Sequence, residues 1–489
     1  MFLVSLWETN KNRKMKKYLI LLLALCCTNV VLANKTKSLA GYKIDIDAPQ
    51  LKNETINLGM YFYGKLFSGD TLQLNDKGQG SFIKNKPLHE GMYTIYFLGS
   101  KVVDVLVSDE QHFKVKIDTT DLVNKVFVTG SEQSEGFQNY VKFISSKRAE
   151  VEKISKQYES ALKGKDSIQA QKDRQAKIQA IDEEVEAYQM NIIQTYGNKA
   201  LGVILKALVP VKVPEMTAEN DSIRRREEYY YNRQHYFDNI NLSDPRLLYT
   251  VFLPQKIDFY MQRMLPQIPD TLITEAIKLV EMSKGDTLTY KNMLTNMLNY
   301  AVKSNLMGMD GLTLRLSEDY YLAGKAPWAD STLLANLERE VKKTKYNQIG
   351  AIAPNLFVET FDGKKINLLD LPQDYILIYF FEPSCGHCKK ETPVLHNTVY
   401  QKFKKNNFFE VFAFYTHTNK EEWKKFIDEH GLHDWTNVWD PQRNSFFWHY
   451  YDTTVTPGLY LLNKERKIIA KKIDKDTLDM ILEAEKNRN

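Results

Sequence analysis

Cys385 and Cys388 lie in the stretch FFEPSCGHCKKETP, residues 380–393, with only Gly386 and His387 between them. Two thiols at this spacing can exchange a dithiol with a disulfide or supply half of a zinc site. Zinc would need two more ligands, and His430 with His433 is the one histidine pair close in sequence. Their gap is shorter than usual for a zinc pair, and His430 falls at a helix end that stands without metal, so no metal is expected. A purely structural disulfide would close too small a loop to stabilise much. A peroxidase would want a threonine three residues before its attacking cysteine; Glu382 stands there, which leaves peroxidase as a minor alternative. Thiol–disulfide exchange fits the pair best, and it needs no cofactor beyond the two sulfurs.

The surrounding elements must position these thiols. Tyr375 to Phe381, YILIYFF, is continuously apolar, as expected of a strand buried on both faces. The run CKKETPVLHNTVYQKFKK that follows reads as a helix, which puts Cys385 at a helix start. The partial positive charge there favours a thiolate, so Cys385 is the expected nucleophile. Cys388, one turn further in, is the expected resolving thiol. A second buried strand (FFEVFAFYT), a helix ending at a glycine (NKEEWKKFIDEHG), a β pair (PGLYLLN and KIIAKKI) and a closing helix (KDTLDMILEAEK) complete a mixed sheet covered by helices. Trp435, Trp439 and Trp448 read as core and rim of this unit.

The other two cysteines, Cys26 and Cys27, lie in an N-terminal run from Met15 with a basic start (Lys16, Lys17), an apolar stretch and the small-residue pattern ending at Ala33. This is the layout of a secretory signal peptide, with residues 1–14 as an upstream extension. The apolar stretch is short for a membrane span, which needs roughly 20 residues. A lipoprotein reading would lipidate Cys26 or Cys27, but Leu25 is bulkier than such a site favours, so membrane attachment is expected only if lipidation occurs. The protein is expected to be exported to the periplasm or cell envelope. Without residues 1–33, 61 basic residues stand against 60 acidic ones, a net charge of +1 in place of +5. No nucleic-acid partner is indicated. The mixed stretch RRREEYYYNRQHYF, residues 224–237, reads instead as a helix packing its tyrosines inward.

At about 150 residues per domain the remaining chain suggests about three domains. Short alternating runs between Tyr42 and Thr129 (GYKIDID, INLGMYFYG, GMYTIYFLG, KVVDVLV, HFKVKID, KVFVTG) predict an all-β sandwich or barrel-like module. From about Glu132 to Asn347 the pattern turns helical: Ile178, Ile181, Val185, Tyr188 and Ile192 share one face, and Ser243-Asp244-Pro245 and Trp328-Ala329-Asp330-Ser331 look like helix starts with a capping side chain near the first turn. The expected division is a signal segment at 1–33, an N-terminal all-β domain at 34–131, a central all-α domain at 132–347 and a C-terminal α/β domain at 348–489.

An apolar strand leading into CGHC, then KKETP, and later TVTPGLYLLN, resembles the TlpA/ResA-like thiol-disulfide oxidoreductases of the thioredoxin fold. The resemblance runs from about Gly350 to the C-terminus, a little under a third of the chain. The preceding regions resemble the β and helical domains attached to redoxins of secreted Bacteroidetes proteins. The resemblance implies Cys385 as attacking thiol, Cys388 as resolving thiol, Glu391 as an acidic residue serving proton transfer, and Pro457 as a cis-proline after Thr456. Thr456 would then present its backbone edge to a client. His387 would stabilise the Cys385 thiolate, and Gly386 completes the substrate-facing dipeptide. The chain departs from the pattern at Ser384, where the family usually has tryptophan, and at Tyr379, where thioredoxin keeps a buried aspartate.

The expected partners are client proteins with disulfides and a redox partner that regenerates the pair, with reduction of clients favoured over oxidation. The competing expectation is a surface binding or assembly protein whose redox domain is vestigial.

Overall fold

The computed structural model describes residues 41–488, apart from residues 98, 100, 160–166 and 219. The signal-like segment, with Cys26 and Cys27, lies outside the described residues. Eight strands come first: β1 (Tyr42–Asp47), β2 (Thr55–Phe62), β3 (Lys65–Gln73), β4 (Gln79–Lys84), β5 (Gly91–Phe97), β6 (Lys101–Val107), β7 (His112–Ile117) and β8 (Val126–Thr129). They form two four-stranded sheets, β4-β1-β7-β8 and β3-β2-β5-β6. Alternation explains the packing. Tyr42, Ile44 and Ile46 of β1 point inward and join Ile56, Leu58, Val103 and Val105 of the other sheet in one core. The sequence pattern omits β3 and β4. β3 is exposed along most of its length at the sheet edge, so nothing selects an apolar alternation there.

The helical region contains α1 (Glu132–Tyr158), α2 (Ser167–Tyr196), α3 (Ala200–Lys206), α4 (Asp221–His235), α5 (Phe252–Phe259), α6 (Pro269–Met282), α7 (Thr287–Lys303), α8 (Asp310–Leu316) and α9 (Ser331–Thr344). Ser131 caps α1, Asp286 caps α7 and Asp330 caps α9, each accepting a hydrogen bond from a first-turn amide. Asp244 performs the same task for a short 3₁₀ turn, Pro245–Tyr249. The helical core takes in Met92 and Leu106 from the β region, so the two regions share buried apolar surface. Helix α4 departs from the expected inward packing of its tyrosines. It has no fully buried residue; Tyr230 is exposed, Tyr231 stacks on His235, and Tyr229 donates its hydroxyl to the Met264 carbonyl at 2.8 Å. Five consecutive charged residues, Arg224 to Glu228, precede these tyrosines, and Phe237, just beyond the helix, is the one buried residue of the stretch.

The C-terminal region holds β9 (Phe357–Thr360), β10 (Lys365–Asn367), β11 (Tyr375–Phe381), α10 (Gly386–Leu395), β12 (Phe409–Tyr415), α11 (Lys420–His430), β13 (Thr436–Trp439), α12 (Phe447–Tyr450), β14 (Gly458–Leu462), β15 (Ile468–Lys471) and α13 (Lys475–Lys486). Its seven-stranded sheet has the order β10-β9-β13-β12-β11-β14-β15, with β11 parallel to β12 and antiparallel to β14. Every residue of β11 is buried because its two faces feed two cores. Tyr375, Leu377, Tyr379 and Phe381 pack towards α10, while Ile376, Ile378 and Phe380 pack against α12 and Tyr451. Gly431 ends α11 in the left-handed conformation, φ 64°, which only glycine adopts without cost. The protein therefore consists of N-terminal β sheets, a central helical region and a C-terminal thioredoxin-like sheet.

Candidate redox site

The buried strand β11 stops at Phe381, and Glu382 to Ser384 form a short connection to α10. Cys385 is the N-cap of that helix. Its amide donates to the Glu382 carbonyl at 3.1 Å, its own carbonyl accepts from Lys389 at 3.1 Å, and its sulfur accepts from the Cys388 amide at 3.5 Å. A sulfur in this place faces the unpaired amides of the first turn and the positive end of the helix.

The two thiols occupy opposite environments. Cys385 is half-buried, and Cys388 is fully buried against Tyr379 and Leu395. Burial pushes the Cys385 thiol up, but hydrogen bonds from Thr456 and from the Cys388 and His387 amides outweigh it and bring the thiol below its ordinary range. For Cys388 burial dominates. A hydrogen bond donated by the Glu382 backbone offsets part of it, the Cys385 sulfur adds to the rise, and the thiol is pushed up to about 12.

Thr456 and Pro457, joined by a cis peptide bond, lie beside Cys385, whose Sγ–H donates to the Thr456 carbonyl at 3.2 Å. Pro457, Val455, Leu459 and Ile473 line one cavity of about 320 Å³. A second, of about 280 Å³, is lined by Glu382, Thr416, His417, Arg443 and Trp448. Trp448 lies on the rim under the Arg443 guanidinium, 4.4 Å from ring centroid to Cζ, while Trp435 and Trp439 are in the core. Gly386, His387 and Glu391 are all exposed around the helix start, and a side chain at Gly386 would project into open space.

Two residues gain importance from the structure. Tyr379, at the strand position where thioredoxin holds its aspartate, is buried and pairs its hydroxyl with Thr392 at 2.8 Å. Burial holds its phenol protonated and the nearby Cys388 and Cys385 add to that, so it cannot serve as the base an aspartate would be. Glu382, considered in the sequence only as an absent threonine, reaches Cys388 through its backbone and meets the Thr416 hydroxyl at 3.4 Å with its side chain. Contacts set by the tertiary fold carry no local sequence signal. Away from this site, His433 lies 3.1 Å from Asp428, and His430 packs edge-on to Phe426. Among the described residues no group of three or more His, Cys, Asp or Glu side chains could hold a metal ion.

Residues 373–468 match the model of a thioredoxin-like family. The thiol-disulfide oxidoreductase ResA of Bacillus anthracis is 28% identical over 134 residues, which cover 27% of this chain and 75% of that protein. The chain carries a TlpA/ResA-like thioredoxin-fold domain of the thiol-disulfide oxidoreductase class. The Bacillus subtilis ResA is 31% identical to the same domain over 120 residues, 24% of this chain and 64% of the relative. Among solved structures, the thioredoxin domain of a thiol-disulfide oxidoreductase from Bacteroides vulgatus is 30% identical, covering 28% of this chain and 96% of that one with a TM-score of 0.26. In this ResA-like domain the matched segment runs from just before β11 to the start of β15, and so takes in both cysteines and the cis-proline.

Proposed function

We propose that the protein is exported and exchanges the Cys385/Cys388 dithiol with disulfides of client proteins, working as a reductase in the periplasm or cell envelope. The observation that carries this reading is the asymmetry of the two thiols: one ionises readily at a helix start, and the other is held neutral one turn behind it. The Cys385 thiolate attacks a client disulfide, a mixed disulfide forms, and one client thiolate leaves. Bond formation removes the negative charge from Cys385, and with it a contribution that kept Cys388 protonated. Cys388 then loses its proton and attacks Cys385 Sγ. The second client thiolate leaves, two electrons have passed to the client, and a partner dithiol must return them.

Thr456 and Pro457 would present a backbone edge to the client beside the sulfur, with Gly386 keeping the approach open and His387 favouring the thiolate. Glu391, exposed three residues beyond Cys388, is the proposed proton acceptor. The proposed domain limits remain 34–131, 132–347 and 348–489 after a signal segment at 1–33. No helix among the described residues is long and apolar enough to cross a membrane.

Turnover of insulin by the protein, with dithiothreitol as electron source, tests the exchange; a rate no higher than dithiothreitol alone would favour the vestigial alternative. Equilibration against dithiothreitol and glutathione buffers tests direction. A reductase should titrate nearer thioredoxin, about −270 mV, and a potential well above about −180 mV, the isomerase value, would contradict reduction.

A further inference from the structure

The cavity beside Pro457 is lined by the redox domain alone, and two of its residues, Lys472 and Ile473, also line a larger cleft of about 670 Å³ between the redox domain and the helical region. The opposite wall of that cleft is the end of α7 and the loop after it, with Val302, Leu306 and Met307. Val302 is 66% exposed and Met307 37% exposed, so this wall presents apolar side chains to solvent. Val455, at the Pro457 end, is 72% exposed.

The walls are held in fixed relation. Lys471 Nζ, buried under the cleft, donates to Asp310 at the start of α8 and to the Asn347 carbonyl at 2.8 Å and side-chain oxygen at 3.0 Å. The Lys471 amide meets the Met307 sulfur at 3.4 Å, and Asn347 donates to the Tyr450 carbonyl at 2.7 Å. A crevice between two regions tied in this way is a preformed surface.

We infer that the helical region supplies part of the client site: an extended client segment flanking the attacked cysteine runs past Thr456 and Pro457, crosses Ile473 and sets apolar side chains against Val302 and Met307. The inference rests on the exchange function proposed above, and its warrant is the wall that the two cavities share at Lys472 and Ile473. The backbone edge of Thr456 fixes where such a segment starts, and the only apolar wall beyond Ile473 in that cleft belongs to the helical region. A small disulfide reaches Cys385 without touching this wall. The helical region would thus select protein clients with apolar residues beside the disulfide and leave small disulfides unselected.

The test compares insulin with glutathione disulfide as substrates of the full protein and of Val302→Glu, Met307→Glu and, as a distant surface control, Ile83→Glu. Placing a carboxylate on the wall should lower the ratio of the insulin rate to the glutathione disulfide rate by about tenfold, the equivalent of losing one apolar contact. The control ratio should stay at the unsubstituted value. An unchanged ratio in both wall variants overturns the inference, as does an unchanged ratio accompanied by a new sedimentation coefficient, which would assign the cleft to a second copy of the chain. Failure of the unsubstituted protein to turn over either substrate would instead overturn the exchange function itself. All three positions are exposed, so the variants should fold, and coincident thermal transitions check this.

Discussion

The Cys388 amide points at the Cys385 sulfur from 3.5 Å, while the Cys388 thiol itself is sealed from solvent. One residue thus stabilises the charge on its neighbour and withholds its own. Iodoacetamide should modify Cys385 first in the reduced protein near neutral pH. Because the Cys385 thiol ionises below the ordinary thiol range, its alkylation rate should reach half its plateau at lower pH than free cysteine, and Cys388 should stay unmodified until far more alkaline conditions. Mass mapping after timed quenching reads the order; faster modification of Cys388 would reverse the assigned roles.

Glu391 provides a kinetic rather than a structural prediction. It is an exposed helix carboxylate, so Glu391→Gln should leave the melting temperature nearly unchanged, as expected of a stability change within about 0.5 kcal/mol. Exchange should slow by about 10- to 100-fold if the carboxylate accepts the Cys388 proton. Stopped-flow measurement between mixed-disulfide formation and resolution locates the effect; unchanged resolution across pH would make Glu391 an ordinary solvated side chain.

Lys471 is buried at the junction of the redox and helical regions with its charge met by Asp310 and Asn347. Lys471→Met removes the cation, leaves the Asn347 oxygens without this donor and leaves Asp310 with the Gln348 side chain at 3.1 Å in its place. Since Asp310 is partly exposed, a loss of about 2–3 kcal/mol is expected, at or below the lower end for a broken buried pair. Urea unfolding should show an earlier transition, and limited proteolysis should cut in the 344–350 stretch. A coincident, unshifted transition would mean that the Lys471 contacts contribute nothing.

The redox fold was legible because its central strands are short, almost wholly apolar runs, YILIYFF and FEVFAFY, and β11 and β12 bury every residue of them, Glu410 included. The thiols and cis-Pro457 were legible as motifs tied to those strands. β3 was not, since its exposed edge position leaves no alternation. Lys471 was equally hidden. In KIIAKKI it reads as a solvated lysine, and its burial comes from α8 and the Asn347 turn, more than a hundred residues earlier in sequence. The π turn at His396–Tyr400, which follows Pro393 in α10, likewise has no simple periodic signature.

Glu410, on β12, offers a pH test of the packing. One of its oxygens accepts from both the Val411 amide at 3.0 Å and the Thr436 amide at 3.1 Å. Burial pushes its carboxyl up to about 7, against the pull of those two amides. The folded value lies above the reference value of 4.5, so its stabilising contribution is fully present below about pH 4.5 and is lost as pH rises through about 7. Glu410→Gln keeps an acceptor oxygen and cannot ionise. It should therefore gain about 1–3 kcal/mol over the unsubstituted protein at pH 8 relative to the difference at pH 4.5. Denaturant midpoints at the two pH values decide it, and parallel pH profiles would contradict the buried-carboxylate account.

The role of Cys385 as the attacking thiol is tested most directly by trapping. A Cys388→Ser protein incubated with oxidised insulin should accumulate a mixed disulfide, cleaved by dithiothreitol and mapping to Cys385, whereas Cys385→Ser should accumulate none because Cys388 is buried and protonated. An adduct through Cys388 in the Cys385→Ser protein, or no adduct in either, would contradict the account.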